Sequence, residues 1–171
     1  AQIDQREIHI TPAELLSLIG DARIKAIPLD VRDERHYNQF HIRGARHLPM
    51  QDVLDSAREL QFEPANTVLV AMSNDEALAV EAWKQLKAES LPNVYILEGG
   101  INHWLDTWAA DSFRNANRLE DPQAEQLAYR FNAATGDRHP AAEPNPYVLD
   151  LQFEPRVKLE LKRAPVSGGC G

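Results

Sequence analysis

The chain is poor in sulfur: one cysteine, Cys170, and two methionines in 171 residues. A lone cysteine closes no intramolecular disulfide, so it says little about redox compartment. Positive charge is also scarce. The 18 basic residues are outnumbered by 26 acidic ones, for a formal charge of −8. Such a surface repels nucleic acid and anionic membranes, and no basic run overrules it. Neither is therefore expected as a partner. No apolar stretch approaches the roughly 20 residues that a spanning helix needs. Internal repeats are absent, and the last few residues, rich in glycine, are the sole low-complexity tract.

What remains is ordinary globular composition, with 43% hydrophobic and 26% charged residues. The length suits one medium domain, or one domain with an extension. The sequence begins at Ala1 rather than at a methionine. This reads as a mature chain after leader removal, or as a segment cut from something longer. On that ground an extracytoplasmic (periplasmic) location is favoured over a cytoplasmic one.

Strand and helix signals alternate along the first hundred residues. Thr11-Pro12-Ala13-Glu14 is a capping box with proline at the first helical position, and Leu15, Leu16, Leu18 and Ile19 supply an apolar face. Residues 26–31 read as a short strand, with Pro28 tolerable at a sheet edge or bulge. Short helices are expected over 34–40 and 52–60. Thr67 to Met72 is the clearest strand, a continuous apolar run. A helix is expected over about 75–89, a strand over Asn93–Leu97, and a turn at Gly99-Gly100 into a helix carrying Trp104, Leu105 and Trp108, most simply core. Alternating strands and helices imply βαβ units and a mainly parallel sheet. Ligands of such sheets sit beyond the carboxyl ends of the strands, here the loop after Met72 and the turn at Glu98-Gly99-Gly100.

Beyond residue 110 the pattern changes. Ala124, Leu127, Ala128, Phe131 and Ala134 recur at helical spacing, predicting a helix over about 121–135 that Gly136 ends. After a proline-rich stretch, Val157, Leu159 and Leu161 alternate with Lys158, Glu160 and Lys162, which predicts a strand. Residues 109–171 thus read as a helix/strand extension packing on the first domain, with a free tail over about 164–171.

Two segments resemble a known family. Leu29-Asp30-Val31-Arg32 with His41-Ile42-Arg43-Gly44-Ala45-Arg46-His47-Leu48-Pro49 resembles the first rhodanese signature. Asn93-Val94-Tyr95-Ile96-Leu97-Glu98-Gly99-Gly100-Ile101, followed by Trp104, resembles the second. The resemblance covers residues 7–108 and implies a rhodanese-like three-layer αβα domain around a mainly parallel sheet. In that family the strand between the signatures ends in a cysteine. It becomes a persulfide cradled by inward-pointing loop amides. By the family's spacing that position falls on Ser73, opening the loop Ser73-Asn74-Asp75-Glu76-Ala77-Leu78.

A serine hydroxyl has no persulfide chemistry. Asp75 and Glu76 set carboxylates where a sulfur donor would bring negative charge, and like charges a few ångströms apart repel by roughly 1–4 kcal/mol. The same residues have a structural reading, because Ser73-x-x-Glu76 is itself a capping box that would occupy the loop amides. Two other roles stay open: a catalytic hydroxyl, and a cationic or polar ligand held by Asp75 and Glu76. Asp30 and Arg32 are read as fixing the strand end and the neighbouring loop. No histidine has a sequence reason to lie near Ser73, so no Ser-His-Asp triad is argued. His36, His41 and His47 have finger-like gaps but no cysteine pair, so no metal site is expected. No cofactor motif is found, and no oligomeric state is implied.

The function expected is a rhodanese-like protein without the loop cysteine, acting as a non-catalytic binding or interaction module. The alternative is a sulfur-relay protein, related to sulfurtransferases, in which Cys170 carries a persulfide for a protein partner. Cys170 lies in Gly-Gly-Cys-Gly at the terminus, where nothing in the sequence lowers its thiol pKa.

Overall fold

Thr11 stops the extended chain and starts the first helix: its Oγ1 accepts from the N–H of Glu14 at 3.2 Å, and Pro12 needs no partner at the first turn. Only half of the capping box forms, because the Glu14 carboxylate turns instead to the far end of the chain, where it accepts from the N–H groups of Arg156 and Val157. The computed structural model describes residues 6–131 and 142–161. Along them run β1 (His9–Ile10), α1 (Pro12–Gly20), β2 (Lys25–Asp30), α2 (Glu34–Gln39), β3 (Arg46–His47), α3 (Val53–Leu60), β4 (Thr67–Met72), α4 (Ala77–Ala88), β5 (Val94–Leu97), α5 (Gly100–Trp108) and α6 (Asp111–Asn117).

The five strands form one parallel sheet in the order β1-β5-β4-β2-β3. β4 is central and every one of its residues is buried. Its side chains alternate between two cores, as a strand's period of two requires. Val68, Val70 and Met72 pack with Leu15 and Leu16 of α1 and with Ile101, Trp104 and Leu105 of α5. Leu69 and Ala71 pack with Val53, Ala57 and Leu60 of α3 and with Ala79, Ala82 and Leu86 of α4. The result is the expected α/β architecture of helices on both faces of a parallel sheet.

Pro28 is accommodated by register. The N–H groups of Lys25 and Val31 point to the β4 side, where Asn66, just ahead of the strand, and Met72 accept them. The even-numbered residues of β2 therefore face the other side, and there β3 pairs only from Leu29 onward. The missing N–H of Pro28 leaves no gap in a ladder.

The second half departs from expectation in three places. The helix predicted from residue 121 does not form over 121–131; its last residues, 132–135, lie outside the described residues. Glu125 has φ 55, which no right-handed helix contains. The segment instead folds back on itself: Leu119 N–H donates to Ala128 O, and Arg130 N–H to Asn117 O. Leu127, Ala128 and Tyr129 still reach the core, so the apolar spacing was a packing signal without a helix. The residues just before it form α6, which the sequence reading did not anticipate. Finally, residues 151–161 run without the predicted strand ladder. Side chains take the place of a partner strand: Tyr95 Oη accepts from Lys158 N–H at 2.9 Å, and Asn93 Oδ1 accepts from Glu160 N–H. The tail from 162 onward lies outside the described residues.

Gly100 sets the most demanding contact of the fold. A Cβ there would lie 2.1 Å from Asp75 O, 2.4 Å from Ser73 O and 2.8 Å from Asn74 O, and its φ is +62. Gly44 also has positive φ (+78), but open space surrounds it. Gly100→Ala is expected to cost more than about 3 kcal/mol in urea denaturation, and Gly44→Ala only about 1–2 kcal/mol of left-handed strain. Equal costs would show that the close approach to the loop does not govern stability.

Candidate functional site

β4 delivers Ser73 to the carboxyl edge of the sheet, and α5 holds the loop that follows. Ile101 N–H donates to Ser73 O at 2.9 Å and Asn102 N–H to Asn74 O at 3.0 Å. Two backbone carbonyls of the loop thus point at the free amides that open α5, a favourable pairing at a helix start. From the β2 side, Arg32 fixes the same loop. It is fully buried, donates through Nε and Nη2 to Asp30, and sends Nη1 to Asn74 Oδ1 at 3.0 Å. Nη2 also donates to Phe40 O. A buried guanidinium is tolerable when its donors are matched in this way.

Ser73 is fully buried. Its hydroxyl donates to Glu125 Oε1 at 2.8 Å and accepts from the N–H of Ala79 at 3.3 Å. The expected capping box between Ser73 and Glu76 is not present. Glu76 N–H donates to Asp75 Oδ1, and the Glu76 carboxylate turns away toward β1, where Arg6 engages both of its oxygens at 2.7 and 2.9 Å and Gly99 N–H donates at 2.7 Å. Burial pushes the Glu76 carboxyl up, but these donors outweigh it and hold it below its ordinary value. The arginine and the glycine amide win because a serine hydroxyl sunk in the strand end cannot swing out to complete a box.

Asp75 caps the helix instead. Its Oδ1 accepts from the N–H groups of Glu76 and Ala77, and its Oδ2 from Glu125 N–H at 2.6 Å. Leu78 N–H donates to Glu125 Oε1 at 2.8 Å. The four amides from Glu76 to Ala79 are therefore all taken by oxygens of the chain's own side chains. Amides gathered in this way at a helix start would otherwise suit an anion.

Glu125 went unnoticed in the sequence, and no local pattern singles it out, since it sits on what reads as the polar side of an amphipathic helix. Its backbone joins the site as well, the C=O accepting from Asn74 Nδ2 at 2.7 Å. Burial raises its carboxyl pKa above the ordinary range, and the neighbouring Asp75 carboxylate adds to the rise. Its second oxygen, Oε2, is buried without a hydrogen-bond partner. Left-handed backbone costs roughly 1–2 kcal/mol and an unmet acceptor about 1–3 kcal/mol. Hydrogen bonds to charged groups, at about 1.5–3 kcal/mol each, are of the right size to offset both.

The remaining sequence candidates are dispersed. His41 stacks on Tyr37 at 3.8 Å, His47 Nε2–H donates to Arg32 O, and His36 pairs with Asp33. Among the described residues no group of three or more His, Cys, Asp or Glu side chains is placed to hold a metal. None of their helices is long and apolar enough to cross a membrane. Cys170 lies outside the described residues.

The model of the rhodanese-like domain matches residues 11–107, more than half of the 171 residues, and the chain belongs to that family. It is similar to two proteins named thiosulfate sulfurtransferase GlpE. The one from Pseudomonas entomophila is 29% identical over 61% of this chain and 90% of its own length. One from Pseudomonas putida is 30% identical over 53% and 80%. Among solved structures, the Alr3790 protein of Anabaena superposes with TM-score 0.50 at 25% identity, covering 57% of this chain and 86% of that one. The BH2092 protein of Bacillus halodurans superposes with TM-score 0.52 at 21% identity, over 61% and 76%, which shows the fold alone.

Asp75 provides a pH-dependent test of the loop. Burial pushes its carboxyl up, but hydrogen bonds from Glu125, Ala77 and Glu76 bring it from 3.8 down to about 2. A value depressed in the folded state means stability that is complete above pH 3.8 and lost as pH falls toward about 2. Asp75→Ala should cost about 1–3 kcal/mol near neutral pH. In urea denaturation that difference from wild type should narrow between about pH 4 and pH 2. A gap independent of pH would remove the capping role.

Proposed function

We propose that this chain is a rhodanese-fold binding or interaction module that does not turn over a sulfur donor at its Ser73 loop. The observation that carries this reading is the state of Ser73: an oxygen where persulfide chemistry needs sulfur, fully buried, with its proton committed to Glu125. Glu125 is no substitute for a catalytic base. Even raised, a carboxyl remains far too acidic to ionise a serine, and its Oε1 already engages the Leu78 amide that would stabilise an oxyanion. The names of the similar proteins describe thiosulfate sulfurtransfer; this chain shares their fold but not the nucleophile that the family resemblance places in the loop.

A second reading rests on Cys170, the sole thiol, flanked by Gly169 and Gly171. In it the domain docks a protein donor or acceptor and Cys170 carries the persulfide. One experiment separates the two. Wild type and Cys170→Ser are assayed for thiosulfate:cyanide sulfurtransfer, and each is weighed intact after incubation with a persulfide-bearing donor protein. The module reading expects no turnover from either protein and no added sulfur. Added sulfur on wild type that vanishes in Cys170→Ser establishes the relay. Turnover that survives Cys170→Ser overturns both.

A further inference from the structure

The site has a resident occupant. Glu125 arrives from a segment far along the chain and makes four hydrogen bonds to this one loop: carboxylate Oε1 to Ser73 Oγ and Leu78 N–H, backbone N–H to Asp75, backbone C=O to Asn74. The side chains that receive it from the strand end are built in, Ser73 being 0% and Asn74 2% exposed. Glu125 accepts a left-handed backbone to be there and leaves Oε2 buried without a donor. Beside its carboxylate opens a cavity of about 240 Å³, lined among others by Arg32, Asp33, His36, Met50 and Leu78.

We propose that the Ser73–Leu78 loop is a carboxylate-binding site that the chain keeps filled with its own Glu125, so that an outside carboxylate enters through this cavity only when that side chain withdraws. The inference rests on the reading of the loop as a binding site without turnover. The donor set selects the ligand class. Two donors, the Ser73 hydroxyl and the Leu78 amide, converge on a single oxygen, and the ionised Asp75 lies alongside. That suits one singly charged carboxyl group. A tetrahedral dianion would need more donors and would meet twice the repulsion from Asp75.

The test uses the full chain with Glu125→Gly. Glycine favours the left-handed backbone, so the variant removes the carboxylate while the backbone bonds to Asp75 and Asn74 can remain. Thermal unfolding is followed while propionate is titrated at constant ionic strength, with 1-propanol as a ligand of similar size lacking the carboxylate. The variant should show a saturable rise in Tm of about 2 °C or more with propionate alone, and wild type none. Equal responses from wild type and variant, equal responses to propionate and propanol, or no response at all would overturn the proposal. Should Glu125→Gly fail to fold, Glu125→Asn makes the same comparison, because its side chain tolerates the left-handed backbone and is one carbon shorter. Replacing propionate with the blocked peptide acetyl-Ala-Glu-Gln-amide separates the sources: tighter binding assigns the ligand to an acidic peptide, weaker binding to a small free acid. A thiosulfate assay on the same proteins keeps the two readings apart, since turnover by wild type would sink the non-catalytic module whatever propionate does.

Discussion

The amides of Ile101 and Asn102 reach the carbonyls of Ser73 and Asn74 only because residue 100 has no side chain. That contact fastens the end of the central strand to the start of α5. Much of the site follows from it. With its carbonyls held on one side, the loop has to turn its amides the other way, toward the start of α4, where side-chain oxygens collect them. Arg32 reinforces the same geometry from β2 through Asn74, at the cost of burying a charge that Asp30 must neutralise.

The loop's electrostatics run opposite to what an anion receptor in open exchange with solvent would need. Asp75 takes two amides and Glu125 a third, and the two carboxyl groups shift each other's titration, Asp75 downward and Glu125 upward. The two groups therefore pull stability in opposite senses with pH. Asp75 favours the folded state above its unfolded value, whereas Glu125, raised in the folded state, contributes below its unfolded value and loses that contribution as pH rises through its folded one. The amides at the start of α4 are met by the chain's own acidic side chains.

The region after α5 changes the domain from within. Its residues add Leu127, Ala128, Tyr129 and Ala142 to the core on the α1–α5 side, and its backbone satisfies Glu14, Tyr95 and Asn93. The segment that packs against the loop is the one that carries Glu125, so packing and site occupancy belong to the same piece of chain. The loop thus draws on a residue well outside the span that the family model matches.

The architecture was legible because its signals are local. An unbroken apolar run at Thr67–Met72, a capped helix at Thr11 and a glycine pair after Leu97 each state a backbone preference that the neighbouring residues do not contradict. The presence of a hydroxyl rather than a thiol at Ser73 was legible too, since residue type alone states it. What the sequence could not disclose was competition. The Ser73–Glu76 box is a sound local choice that lost to Arg6 and Gly99 for Glu76 and to Glu125 for Ser73. The helix from residue 121 lost to bonds with Asn102 and Asp75. The sequence by itself determined that the Ser73–Leu78 loop carries no thiol. Only the tertiary structure decided what fills it, because hydrogen-bond partners fifty residues apart are chosen by distance in space, and spacing along the chain carries no record of that choice.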